Sequence, residues 1–384
     1  MTGEHMSLPS GVAVVIHSLS GGGAERTVAR LASHWAGQGL DVTLITLDTA
    51  DKDIYAVHER VRRVGLGLMS VSASRWQAVR NNASRVMLLR RAIRDSRAGS
   101  VVSLTEKMNV TTLLACARTP LNVVICERTD PRHHHISPFW SWLRRRTYPR
   151  CGGLVVQTEG VRTWARAMVR NRPVYVIPNA AWAEPAQQLA PRSPGGPHRI
   201  IGLGRLADHK GFDLLAEAFA RVAPRHPDWN LEIHGEGDQR QLLEQFRAKH
   251  GLEERLALPG WNHNPQEALS RGSLFVLPSR YEGFPNALLE AMTVGLPCIS
   301  FDCESGPREI VRHEVDGLLV PAQDVDAMAA AMDRLMSDPQ LRDLLGKRAA
   351  EVLQRFSPDR FFGQWDAVLR AEPESHVEAV GHSS

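Results

Sequence analysis

No stretch of this 384-residue chain stays apolar for the roughly 18 residues that a membrane-spanning helix needs, and no two cysteines have Cys-x-x-Cys spacing. Cys116, Cys126, Cys151, Cys298 and Cys303 are odd in number and scattered, which predicts reduced, buried thiols of a cytosolic protein rather than a disulfide framework. No nucleic-acid-binding motif is present, so a nucleic-acid partner is not expected. The first apolar run, residues 12–16, is too short for a signal-peptide core and follows acidic Glu4. What the chain does have is 43% hydrophobic residues, enough to fill two cores and too many for a disordered chain.

Short apolar runs alternate with helical stretches along most of the length. Strands are predicted at residues 12–17, 42–47, 101–104, 123–126, 154–157 and 174–177, and again at 199–203, 231–234, 256–258, 274–277, 297–301 and 317–320. Between the two series lies one segment rich in proline and glycine, residues 181–198. The reading is α/β: two doubly wound, Rossmann-like domains, 1–180 and 199–355, facing across a cleft. Final helices are predicted at 325–336 and 341–370, followed by a frayed tail over 373–384.

The net charge of +4 hides an asymmetry. Residues 1–180 carry 25 Lys and Arg against 12 Asp and Glu, whereas residues 181–384 carry 21 against 30. A balance of +13 in the first half wants an acidic partner, and an anionic membrane surface suits it. In Phe139-Trp140-Ser141-Trp142-Leu143-Arg144-Arg145-Arg146, aromatics precede a basic triplet on a predicted helix, the composition of an interfacial anchor. The plainer reading is that the tryptophans fill the core and the arginines are solvated.

The densest chemistry lies in Arg280-Tyr281-Glu282-Gly283-Phe284-Pro285-Asn286-Ala287-Leu288-Leu289-Glu290. Glu282 falls in the loop after a predicted strand, where open α/β sheets bind ligands, and Glu290 about one turn into the next helix. Both are expected in one crevice, where carboxylates accept hydrogen bonds from sugar hydroxyls. With Ser18-Leu19-Ser20-Gly21-Gly22-Gly23-Ala24-Glu25-Arg26, Gly204-Arg205-Leu206, Lys210-Gly211 and Ser305-Gly306-Pro307-Arg308-Glu309-Ile310, this segment resembles retaining glycosyltransferase family 4, over roughly residues 11–320. The wording around Glu282 is most similar to the branch of N-acetylgalactosamine and related transferases that build polysaccharides and lipid-linked oligosaccharides.

That resemblance implies the GT-B fold, with the segment 356–372 crossing back to the first domain. It also implies a UDP-hexose or UDP-N-acetylhexosamine donor, and a lipid-linked or polysaccharide acceptor reached at the inner face of the cell membrane. By it, Arg205 and Lys210 bind the donor diphosphate, Glu290 the ribose and Glu282 the transferred sugar, with the backbone of Gly283, Phe284, Pro285, Asn286 and Ala287 against sugar and phosphate. No cofactor is implied. Residue types agree: no metal motif is evident on the donor side, so the diphosphate needs cations, and Arg offers a planar fork where Lys offers a point charge. Gly235 and Gly237 are candidates for receiving the base because glycine lets a ring approach the backbone, although ordinary turns use glycine in the same way. Gly21, Gly22 and Gly23 open a helix after the first strand and can form an anion-receptive nest for phosphate or acceptor. Arg128 and His133 follow another strand at the same sheet edge. Many members of the family place a first-domain histidine beside the donor sugar, and His133, His134 and His135 leave open which of them, if any, does so. Metal binding by three adjacent imidazoles is disfavoured because neighbours cannot all face one ion. Lys107 and Asn109 are further cleft candidates.

Two other readings remain. Gly202-Leu203-Gly204-Arg205-Leu206-Ala207 fits a dinucleotide fingerprint, hence an NAD-dependent oxidoreductase, but no acidic residue follows at the required spacing. A catalytically silent nucleotide-sugar-binding protein would carry the same motifs.

Overall fold

The computed structural model describes residues 9, 11–69, 74–183, 197–262 and 264–371. Two all-parallel sheets share these residues. The first comprises β1 (Gly11–Ile16), β2 (Asp41–Thr46), β3 (Arg62–Gly65), β4 (Ser100–Leu104), β5 (Asn122–Cys126), β6 (Gly153–Val156) and β7 (Val174–Val176), in the order β3-β2-β1-β4-β5-β6-β7. The second comprises β8 (His198–Leu203), β9 (Trp229–His234), β10 (Leu256–Gly260), β11 (Leu274–Leu277), β12 (Cys298–Asp302) and β13 (Leu318–Pro321), in the order β10-β9-β8-β11-β12-β13. In each sheet the order reverses beside the first strand, between β1 and β4 and between β8 and β11. Such switch points open a crevice at the carboxyl ends of the strands.

Every predicted strand is present. β3 is an addition: Arg62-Arg63-Val64-Gly65 lacks an apolar run because this edge strand pairs only with β2, and Asp53 holds Arg63 at 2.7 Å. The inner strands are buried on both faces. Val12, Val14 and Ile16 turn to one core and Ala13 and Val15 to another, which is why such strands read as continuous apolar runs.

Helices cover both faces: α1 (Gly23–Gly37), α2 (Arg75–Ser96), α3 (Glu106–Ala115), α4 (Pro138–Thr147) and α5 (Glu159–Val169) on the first sheet, then α6 (Phe212–Val222), α7 (Arg240–Lys249), α8 (Pro265–Ser270), α9 (Asn286–Thr293), α10 (Pro307–Ile310) and α11 (Val325–Ser337) with the second. The single helix expected over 341–370 is instead α12 (Pro339–Ala349), α13 (Val352–Arg355) and α14 (Pro358–Arg370). Pro358 cannot continue a helix from behind, and the Ser357 hydroxyl accepts from Arg360 N at 3.3 Å to start a new one. α14 lies on α1 of the first sheet: Phe361 and Trp365 join that core, and Trp35 Nε1 donates to Asp366 at 2.9 Å. Of the expected linker, residues 184–196 lie outside the described residues, as does the expected tail.

α4 divides its basic triplet. Arg144 turns inward, 3.9 Å from Glu127 and over the Trp164 ring, because one face of the helix must pack through Trp140 and Leu143. Arg145, Arg146, Phe139 and Trp142 face outward. The anchor composition therefore applies to four side chains and not to Arg144. No helix among the described residues is long and apolar enough to cross a membrane.

Candidate active site

The carboxyl ends of both sheets meet around a cavity of ≈ 710 Å³. Gly21, Gly22, Gly23 and Arg128 line it from the first sheet, and Arg205, Lys210, Glu282, Gly283, Phe284 and Asn286 from the second. Each comes from a turn after a strand or from the start of the next helix, so chain segments far apart in sequence converge.

Glu282 is the best-held group. Its side chain is 8% exposed, and Oε1 accepts from Lys210 Nζ and from Ser279 Oγ, both at 2.7 Å. The loop behind it is braced: Ser305 Oγ lies 2.6 Å from the Glu282 carbonyl and 2.9 Å from Asp130 Oδ2, sharing one proton between domains. Gly306 has a φ of +97°, and a Cβ there would come within 2.7 Å of Pro285 Cδ. Gly283 presses on the first domain, where a Cβ would lie 2.8 Å from the Arg128 carbonyl. Lys210 is thus paired, whereas Arg205 lines the cavity and forms no ion pair among the described residues.

Glu290 departs from the expected single crevice. It lies one turn along α9, behind Asn286 and Gly23, in a small adjoining pocket, and is ion-paired with Arg26 of α1. Asn179 Nδ2 donates to Asn286 Oδ1 at 2.5 Å and helps close the gap between the two spaces. Pro285 and Ala287 do not line the large cavity. Neither do Gly235 and Gly237, whose lack of a side chain serves the fold: a Cβ would collide with the Gly204 carbonyl in one case and the Leu206 carbonyl in the other.

The histidine run splits. His134 lines the cavity and sits 3.5 Å from Glu106, a contact that raises its pKa above the ordinary value against the opposing effect of burial. His133 lies outside the lining, 3.3 Å from Glu304 and stacked on Tyr281 with ring centroids 5.4 Å apart. His209 also stacks on Tyr281, with ring centroids 5.2 Å apart; burial and then the Lys210 charge lower its pKa. Among the described residues no three His, Cys, Asp or Glu side chains gather as a metal site. Asn109 is not a cleft residue. It is fully buried and donates to the Cys126 carbonyl and to Tyr148 Oη, because α3 turns it toward the sheet. Lys107 is exposed and does not line the cavity.

Residue pattern alone misses Ser279, Asp130, Tyr281, His209 and Asn179. Asn179 and Asp130 follow strands at the ligand-binding edge, a positional signal that could have found them.

Residues 21–181 match the family model Glycosyltransferase Family 4, and residues 185–352 match Glycosyl transferases group 1. The chain belongs to glycosyltransferase family 4. It is 25% identical to the amylovoran biosynthesis glycosyltransferase AmsD of Erwinia amylovora, across 91% of this chain and 96% of that protein. It is 38% identical to an exopolysaccharide phosphotransferase of Streptomyces coelicolor, but that match spans 58% of this chain and only 23% of the relative's length. Among solved structures, Anabaena HepE in complex with UDP and glucose superposes with a TM-score of 0.74 at 18% identity, covering 94% of this chain and 99% of that one. The solved structures share the GT-B fold, and the family models and named relatives make the chain a glycosyltransferase and not an oxidoreductase.

Proposed function

We propose that this glycosyltransferase moves a hexose or N-acetylhexosamine, with retention, from a UDP-sugar to a lipid-linked oligosaccharide or polysaccharide at the inner membrane face. The observation that carries the donor half is Arg205, a cation with no carboxylate partner among the described residues, beside the Lys210–Glu282 pair on one wall of the cleft. A donor diphosphate fits there. Arg205 and Lys210 neutralise it without a metal ion, Glu282 meets the transferred sugar, and Glu290 takes the ribose hydroxyls once Arg26 yields. Relatives named for amylovoran and lipopolysaccharide core synthesis support a glycan acceptor, and HepE with UDP and glucose supports the base.

Retention requires attack on the face that the diphosphate leaves. In this reading the acceptor oxygen bonds to the anomeric carbon as the carbon–phosphate-oxygen bond breaks. The departing oxygen takes the hydroxyl proton, and Arg205 and Lys210 stabilise its charge. The domain division given above, 1–180 and 199–355, is part of the same reading: the first domain receives the acceptor.

A panel of nucleotide sugars in EDTA tests this, comparing the parent with Glu290→Ala. UDP release from one sugar, weakened by the substitution, is expected. Binding of no nucleotide sugar would overturn the donor assignment. Membrane docking through Phe139, Trp142, Arg145 and Arg146 is tested by cosedimentation with anionic vesicles, where changing all four to Ala should abolish the pelleted fraction and leave activity on soluble acceptors intact.

A further inference from the structure

One pair on the first-domain wall has no part in the donor reading. His17 follows β1, Glu25 sits in the first turn of α1, and both line the large cavity. His17 Nε2 lies 3.1 Å from Glu25 Oε1; the Glu25 side chain is 9% exposed and that of His17 36%. The carboxylate is therefore sunk behind an imidazole that reaches the cleft. Gly22 makes room for it, since a Cβ there would collide with the Glu25 carboxylate. The second glycine of the turn thus serves an acid already seated at the start of a 15-residue helix, where the helix dipole favours negative charge. Arg128 is a further charged neighbour of Glu25. That narrows the phosphate reading of Gly21 to Gly23, because a second anion at this helix end would meet Glu25.

An ionised carboxylate only accepts hydrogen bonds. In a neutral imidazole the nitrogen facing that carboxylate carries the proton, which leaves Nδ1 on the other edge a lone pair.

We propose that His17, oriented by Glu25, accepts a hydrogen bond from the acceptor's attacking hydroxyl. The inference rests on the donor lying against the second domain, which leaves the first-domain wall to the acceptor. Such a bond would hold the attacking oxygen in the bound state with a lone pair toward the anomeric carbon, a gain from orientation alone, and the hydroxyl then turns its proton to the departing oxygen as the carbon–phosphate-oxygen bond breaks. It makes His17 a substrate-contacting residue and Glu25 a positioning residue.

The test uses the full chain and a panel of octyl glycosides. With UDP bound, titration of a glycoside should shift the ¹⁵N resonance of His17 Nδ1, and UDP alone should leave it unmoved. A shift with UDP alone, or none with any glycoside, overturns the proposal. Failure of UDP to bind would count against the donor reading only, because glycoside binding still decides this one. In turnover, His17→Leu should lower kcat/KM for the glycoside about tenfold, the loss of one neutral hydrogen bond, while UDP release to water stays within about twofold of the parent. His17→Gln, whose amide oxygen accepts, should recover part of the loss. An equal fall in UDP release would assign the pair to the donor instead. Glu25→Gln should alter the His17 tautomer balance in the ¹⁵N spectrum, which a merely structural Glu25 would not do.

Discussion

Glu282 illustrates how little of a residue's function resides in its own side chain. Two donors converge on one oxygen, and a hydroxyl from another motif fixes its carbonyl. If Lys210 stabilises charge that grows on the leaving diphosphate, its interaction is strongest in the transition state. Lys210→Gln should then lower kcat about a hundredfold while weakening donor binding less than about tenfold. Equal losses in both would reduce Lys210 to a holder of Glu282. A different acid sets a pH dependence. Burial pushes the Glu127 carboxyl from 4.5 up to about 7, against the hydrogen bond that Tyr148 Oη donates at 2.5 Å. A raised carboxyl pKa favours the neutral form in the folded state. The stability it contributes is complete below pH 4.5 and is lost as pH rises through about 7. Glu127→Gln should remove that decline, at most about 3 kcal/mol, in urea unfolding at a series of pH values. Parallel pH profiles for parent and variant would show that Glu127 does not titrate in this window.

At the scale of elements, the turn from β11 to α9 carries the Glu-Gly-Phe-Pro-Asn segment, and the short α10 supports it from outside. Gly306→Ala combines a φ of +97° with a 2.7 Å approach to Pro285. The strain alone costs roughly 1–2 kcal/mol, and the displaced loop moves Glu282. We expect kcat/KM to fall at least about tenfold with the far-UV circular dichroism unchanged; full activity would show that the loop tolerates the shift. Elements were also where the sequence was most and least legible. Buried parallel strands declare themselves as apolar runs, so both sheets could be read. The polar edge strand β3 has no such signature. The break before α14 was written in Ser357-Pro358 but is masked by continuous amphipathic periodicity. The placement of Glu282, Lys210 and the glycine turn at the cavity was legible because these residues follow strand ends. The contacts that Ser279 and Asp130 make were not, whatever their position, since they depend on partners 3 to 175 residues away.

For the whole molecule the telling feature is what the two domains meet through. Apolar clusters lie within each domain, whereas the seam beside the cleft is charged and polar: Arg26 with Glu290, Arg132 and His133 with Glu304, and Glu309 accepting from the backbone N–H groups of Glu159 and Gly160 at 3.0 and 3.1 Å. The ring stack of His133, Tyr281 and His209 is the exception, and it reaches to within one residue of Glu282. Exposed ion pairs are screened by salt, so closure should weaken as ionic strength rises from about 0.05 to about 0.5 M. The radius of gyration from X-ray scattering should increase over that range without UDP, and less so with it, because a diphosphate held by Arg205 and Lys210 adds negative charge across the cleft from Arg128. Tyr281→Ala should enlarge the salt response by removing the part of the seam that salt does not screen. An unchanged radius in parent and variant alike would mean that the domains are held by the crossing of α14 onto α1 and not by the charges across the cleft.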